Sequence, residues 1–349
     1  IINIMINNLK IMNLTENNFT AQEEKQHYLW ADITKGIAIL LVIAGHSFTS
    51  SGNICKFIYL FHMPLFFLLA GYFFNFSKYC DNFKLLVNTS AKRLLLPALI
   101  STLFAFHFNY GNLFKQLLKI VYAVGKDIPK LKIASIGSAW FIFCLYLVRI
   151  LLYGFIKVTK KYKTNDFVNC IIAFCISLLG VFIGKYVKLP WSFDIALAVL
   201  YVSYIGYLLK KYSFFKKKTL LIVVNIVALI AGYFDYKYFG LSINERIYTN
   251  PIVSLNTAIG LSILVMEFSM LMEKMKITYL NLFFKYLGVN SLIIMLAHIY
   301  ANSSKGGICC TLIRLLISIV FIEVLALIPS TRNIFSAISI LTLIKNRKI

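Results

Sequence analysis

Acidic side chains are what this chain has least of. Only 13 Asp and Glu stand against 36 Lys and Arg in 349 residues, a formal charge of +23. Charged residues of both signs make up 14% of the sequence and hydrophobic ones 60%. This excludes an ordinary soluble domain, in which about a quarter of the residues are charged. The seven cysteines (Cys55, Cys80, Cys144, Cys170, Cys175, Cys309 and Cys310) lie mostly inside apolar runs. None forms a CxxC pair or a Cys/His pair at zinc spacing, so the pattern speaks against a structural zinc site and a disulfide framework. Walker A, a GxGxxG after a strand, HExxH, GxSxG and DxD are all missing. P-loop ATPases, zinc proteases, lipase-type hydrolases and divalent-metal glycosyltransferases lose their signatures with them, and no bound metal is expected. The polar, Asn-rich residues 1–27 lack the pattern of a cleavable signal peptide, and none is expected.

What is present, almost throughout, is apolar runs of about 18–22 residues, the length that crosses ~30 Å of hydrocarbon as a helix. They are continuous rather than alternating, which rejects a membrane β-barrel. The expected fold is all-α: a polytopic membrane protein with about ten transmembrane helices and both termini cytoplasmic. The spans fall at about 33–50, 54–77, 94–110, 135–156, 167–187, 192–209, 218–236, 251–273, 283–300 and 307–328. Residues 1–29 read as a disordered cytoplasmic arm, 30–328 as one membrane domain and 329–349 as a basic cytoplasmic tail. Leu113–Val124, with Lys115 and Lys119 among apolar residues, reads as an amphipathic helix at an interface, and the short apolar stretch Ile334–Ile344 as interfacial too. Lys and Arg favour the cytoplasmic side by roughly two to one, although segment 111–134 places five lysines outside. In this setting positive charge marks topology and contact with the anionic lipid bilayer. No basic-aromatic groove for nucleic acid is visible.

The most informative stretch runs from Asp32 to Tyr72. It reads D-I-T-K-G-I-A-I-L-L-V-I-A-G-H, a polar link, then a second apolar run with F-H-M-P-L-F-F-L-L-A-G-Y. Ionisable groups at membrane depth are costly and mark function by default. Lys35 and His46 are eleven residues apart, three helical turns plus about 20°, so they share one face of the first span with ~16 Å between them. A snorkelling lysine and a hydrogen-bonded packing histidine are the structural alternatives. His62 precedes Pro64, which removes a helix hydrogen bond and is expected to kink the helix beside a cavity. Ser291 and His298, seven residues apart, share a face near the outer end of the ninth span. His46, His62 and His298 thus come to comparable depth in the outer half of the membrane, while His27 and His107 are background.

Lys92 and Arg93 close the first cytoplasmic loop. They read as positive-inside anchors or as a contact for a phosphate-bearing donor. Trp140, in the G-S-A-W-F-I that opens the fourth span, is an interface-belt residue by default. Ion pairing between helices is the simplest account of Arg149, Glu267, Arg314 and Glu323.

These residues together resemble a known family. The first run, D-I-T-K-G-I-A-I-L-L-V-I-A-G-H, resembles the first span of the acyltransferase family 3 membrane enzymes, in particular the branch described as fucose 4-O-acetylase-like. F-H-M-P-L-F-F-L-L-A-G-Y-F-F resembles that branch's second span. K-R-L-L-L-P, G-S-A-W-F-I and G-V-N-S-(six residues)-H are similar to its later landmarks, in order, over about 30–328. The resemblance implies ten transmembrane helices and transfer of an acyl group, usually acetyl, from cytoplasmic acyl-CoA. The acceptor it implies is a carbohydrate hydroxyl, often on a surface polysaccharide or its precursor. The family's motif of a basic residue and a histidine separated by ten positions falls on Lys35 and His46. Many members carry Arg at the first position; Lys keeps the charge but loses the bidentate fork. Only Lys92-Arg93 stands where many members have Arg-x-x-Arg, and Ala70 replaces the usual Ser before the glycine of the second span.

On this reading His46 serves as general base on the acceptor hydroxyl or forms a transient acyl-imidazole; the residues leave both open. An unperturbed pKa of about 6.5 suits an imidazole to the first role. Lys35, Lys92 and Arg93 are expected to meet the phosphates of acyl-CoA, with acetyl-CoA the first expectation. Asp32 is expected to orient Lys35 or to cap the helix. His62, His298, Trp140 and Ser291 are expected to line the substrate site, in a protein of the cell (inner) membrane. The rival reading is a polysaccharide or small-molecule exporter without acyl transfer. Inverted repeats and paired broken helices would favour it, and no repeat between the two halves is evident.

Overall fold

The computed structural model describes residues 28–48, 52–107, 113–238, 240–300, 306–335 and 338–339, and helices carry nearly all of them. Helix α1 (Leu29–Ser47) leads to α2 (Asn53–Tyr59) and α3 (His62–Tyr72), two pieces of one span. Then come α4 (Phe83–Ser90), a π turn at Ala91–Leu95, α5 (Leu96–His107) and α6 (Leu113–Tyr122). A loop and the 3-10 turn Gly137–Ala139 precede α7 (Trp140–Lys161), α8 (Asp166–Tyr186), α9 (Phe193–Ala198), α10 (Leu200–Lys211) and α11 (Lys218–Tyr238). Strands β1 (Leu241–Ser242) and β2 (Ile247–Tyr248) form an antiparallel hairpin, pairing Leu241 with Tyr248 and Ser242 with Ile247. The chain continues through α12 (Pro251–Lys274), α13 (Thr278–Val289), α14 (Ser291–Ala297), α15 (Ile308–Leu327) and α16 (Pro329–Phe335).

This is an all-α multi-pass membrane protein. Among the described residues seven helices are long and apolar enough to cross a bilayer. The number is up to nine if the pairs bent by 56° between α9 and α10 and by 65° between α13 and α14 each count as one span. The sequence reading expects ten. The difference lies at 94–110, described as far as residue 107, where the π turn Ala91–Leu95 leads directly into the 12 residues of α5. The windows of α8, α11 and α15 are only 22–28% buried, against 61–67% for α1, the α2–α3 span, α7 and α12, which makes the first set peripheral. Ile222, Ile226 and Ile230 of α11 stay exposed in the described chain, as lipid-facing side chains do.

The centre is set by glycines. A Cβ on Gly36 would lie 2.1 Å from Phe284 O, and one on Gly288 would lie 1.9 Å from Asp32 O, so α1 and α13 touch backbone to backbone. The same reciprocal contact joins α3 to α10, where a Cβ on Gly71 would meet Ser203 O at 1.8 Å and one on Gly206 would meet Leu68 O at 2.1 Å. Small residues are how membrane helices approach closely when no hydrophobic effect drives them together. A buried ion pair fastens the hairpin to α9. Arg246 Nε lies 2.9 Å from Asp194 Oδ2, the two side chains are 3% and 0% exposed, and Leu189 N donates to Asp194 Oδ1.

The arm expected over 1–29 lies outside the described residues as far as residue 27. Of the tail expected at 329–349, residues 329–335 are helical and Ile338 is docked. Asn290 Nδ2 donates to Ile338 O and Ile338 N donates to Asn290 Oδ1, both at 3.0 Å. Asn290 stands at the break between α13 and α14, where two helix ends leave backbone groups in need of partners, so Ile338 is part of the packing. Helix α6 is amphipathic as expected, with Phe114, Leu117 and Val121 exposed.

Gly288→Ala is expected to lower the apparent melting temperature of the purified protein, by an overpacking cost of about 1–3 kcal/mol. An unchanged melting temperature removes backbone contact as the reason for glycine there. Asp194→Ala leaves Arg246 buried without its carboxylate and is expected to cost about 3–5 kcal/mol in the same measurement. Wild-type stability would show that the pair does not hold the hairpin.

Candidate active site

A helix leaves its last carbonyls without intrahelical partners. At α1 those carbonyls surround His46, and each is met. Phe48 N donates to Ala44 O at 3.0 Å. The Tyr59 hydroxyl and the Cys55 thiol both donate to Gly45 O, at 3.0 and 3.1 Å. Arg314 Nη1, from α15, donates to His46 O, and Gly307 N donates to Ser47 O at 2.8 Å. Gly307 has φ +81°, the left-handed region that glycine enters without cost. The guanidinium also sits at the negative end of the α1 dipole. Arg314 thus makes a carbonyl contact that the ion-pair expectation did not contain. Arg149 likewise donates to Ser90 Oγ at 3.1 Å and lies over the Phe74 ring, Glu267 accepts from Asn225, and Glu323 accepts from Tyr286 at 2.8 Å. The described contacts of these intramembrane groups are mostly hydrogen bonds to uncharged partners.

His46 opens into a cavity of about 480 Å³, shared with Val42, Tyr59, His62 and Trp140 and walled on the far side by Lys126, Asn244 and Glu245. Its ring is exposed, and among the described residues no hydrogen bond to its nitrogens is formed. The His298 ring lies behind it, with centroids 5.2 Å apart. His298 is fully buried. Its Nδ1 is 2.9 Å from Ile294 O, and its Nε2 has no partner among the described residues. A carbonyl only accepts, so Nδ1 carries the hydrogen and Nε2 of the neutral ring keeps a lone pair. His62 repeats the arrangement with Nδ1 2.8 Å from Ile58 O. The break expected at Pro64 stands just before it, at Leu60–Phe61, between α2 and α3. There the His62 ring takes the carbonyl four residues back. Among the described residues no group of His, Cys, Asp and Glu has the arrangement of a metal site.

The G-S-A-W turn builds another wall. Gly137, at φ +68°, lets the chain turn, the Ser138 hydroxyl donates to Met295 O of α14, and Trp140 then faces the cavity. Trp140 is only 4% exposed, so it is a wall of the site and not a belt residue.

The structure therefore brings His46, His62, His298 and Trp140 together. It does not bring in the others. Asp32 and Lys35 form an ion pair of 2.6 Å near the opposite end of α1, with the buried Ile39 and Ile43 between them and His46. Lys92 and Arg93 are exposed on the π turn, and Ser291 stands at the α13–α14 break; none of these lines the cavity. Ser291 opens α14, on the same side of the 65° bend as His298 but about two turns (~10 Å) back along the helix from it. Sequence reasoning passed over Tyr59, Lys126, Asn244 and Glu245. Tyr59 lies three residues before His62, a spacing that signals a shared face; the other three come from loops, where no periodicity points.

A family model described as an acyltransferase domain matches residues 28–344. No curated protein matches the chain. The histidine geometry has its own test: nitrogen NMR of ¹⁵N-histidine-labelled protein, assigned with His298→Gln, is expected to show His298 neutral with the hydrogen on Nδ1. Hydrogen on Nε2 would contradict the bond to Ile294 O.

Proposed function

This chain belongs to the acyltransferase family 3 membrane proteins, and from that premise we propose that it transfers an acyl group, acetyl first, from acyl-CoA to a carbohydrate hydroxyl at His46. The carrying observation is an imidazole with no hydrogen-bond partner among the described residues, opening into a cavity while the last four carbonyls of its helix are all met. In this scheme the His46 ring turns to give the hydrogen of one nitrogen to His298 Nε2, a bond not formed among the described residues, and its other nitrogen takes the proton of the acceptor hydroxyl. The freed oxygen attacks the thioester carbonyl. The C–S bond breaks, and the CoA thiolate leaves with the proton returned by His46. The ester and free CoA thiol are the products. His298 is a positioning residue in this scheme, and His62 and Trp140 are walls for the acceptor.

Lys35 and Asp32 mark the donor's end, with Lys92 and Arg93 as further phosphate contacts. About 16 Å of helix separates Lys35 from His46, so an extended pantetheine arm spans the distance, past Val42, which lines the cavity one turn from His46. With the donor in the cytoplasm of a cell membrane, the Lys35 end faces inward. The exporter reading asks for broken helices in corresponding places of both halves. The pairs bent by more than 40°, at residues 199 and 290, both fall in the second half of the chain, and the break in the first half, at Leu60–Phe61, lies within a single 20-residue span.

Transfer of radiolabelled acetyl from acetyl-CoA to membrane glycans is expected in the wild type. His46→Ala at equal expression is expected to lower it by about 10²–10⁴-fold, the usual share of a general base. Equal labelling in the two would remove His46 from the chemistry. Absence of label in both, with glycan export lost in the variant, would favour the exporter.

A further inference from the structure

The cavity at His46 does not end at its far wall. A second one, of about 420 Å³, adjoins it and shares Gly125, Lys126 and Glu245 with it, adding Asp127, Ser135 and Lys188. The junction is the ion pair of Lys126 Nζ and Glu245 Oε1 at 2.6 Å, its side chains 50% and 36% exposed. Lys126 belongs to the loop before α7 and Glu245 to the turn of the hairpin. The two segments are pressed together beside the pair. Asn244 Nδ2 donates to Gly125 O at 3.4 Å, and a Cβ on Gly125 would lie 1.9 Å from Asn244 Oδ1. The hairpin itself is held by the buried Arg246–Asp194 pair. The outer cavity is therefore bounded by built structure on the hairpin side, and its position is fixed relative to His46.

The charges around the outer cavity cancel. Lys126 and Lys188 face Asp127 and Glu245, Lys188 Nζ also donates to Asp127 O at 2.8 Å, and Ser135 N donates to Asp127 Oδ1 at 2.8 Å. An anionic ligand would gain beside the lysines what it loses beside the carboxylates. Sugar hydroxyls, which donate and accept at once, fit a wall of ammonium, carboxylate, hydroxyl and peptide groups. The inner cavity falls within the ~300–1,000 Å³ of ordinary small-molecule sites, and the outer one is a shallow recess open to solvent beside it.

We propose that the outer cavity is a second sugar subsite, taking an uncharged glycan unit next to the one acylated at His46, with the Lys126–Glu245 pair at the junction. This rests on the acyl-transfer reading for the identity of the inner ligand. Its own content is the neutral charge and the minimum length of two units in the acceptor.

Saturation-transfer NMR on the protein in lipid nanodiscs tests it, with maltose, lactose and mannobiose as neutral probes and digalacturonate as the acidic one. Saturation of both rings of at least one neutral disaccharide is expected, with little on digalacturonate. Glu245→Gln leaves the lysines in excess and is expected to raise digalacturonate relative to the neutral probe by about twofold to fivefold, the size of an exposed charge interaction. Lys126→Gln is expected to lower it further. Both side chains are exposed, and the melting temperature confirms folding. Equal binding of digalacturonate and neutral probes to the wild type, an unaltered ranking in both variants, or no saturation of any disaccharide would overturn the subsite. Acetyl transfer to membrane glycans, measured on the same preparations, separates the two ideas. Transfer without disaccharide binding sinks the subsite alone, and binding without transfer from acetyl-CoA sinks the chemistry alone.

Discussion

A helix that ends inside a membrane protein leaves carbonyls that lipid cannot satisfy. At α1 the solution is to recruit partners from the rest of the chain: Tyr59 and Cys55 from the next helix, and Gly307 and Arg314 from residues some 260 positions away. His46 sits in the middle of that set. Its main chain is held from several directions while its ring is left open. That combination is what a reacting side chain needs, because a base works only when its geometry is settled before substrate arrives.

The close approach of α1 and α13 supports this from the other end. Gly36 and Gly288 bring the two backbones into contact beside Asp32 and Lys35, and α13 then breaks at Asn290 so that α14 carries His298 back to His46. A bulkier residue at either glycine would tilt α13 and move His298 at the far end. The stability of one end and the geometry of the other are thereby linked through rigid helices.

The parts legible in the sequence were those that follow from helical repeat and cost. The depth shared by His46, His62 and His298 follows from counting turns, and three ionisable rings at one depth are too expensive to be incidental. Trp140 reads as a belt residue by default and, through the resemblance, as lining the substrate site; its burial behind the Gly137 turn decides for a wall. The bond from Arg314 to His46 O was not legible, because sequence displays charge and hides carbonyls. The Arg246–Asp194 pair and the Lys126–Glu245 junction join loops that no local pattern connects. The π turn at Ala91–Leu95 was hidden for a related reason: hydropathy counts apolar residues and does not register helix type.

The contact of Asn290 with Ile338 has a meaning for biogenesis. Membrane helices enter the bilayer roughly in the order of synthesis, and α1 comes early. The groups that clamp its end, Gly307 and Arg314, and Ile338, which pins the break before His298, follow some 260 to 290 positions later. The surroundings of His46 are therefore completed long after the helix that carries it has been made.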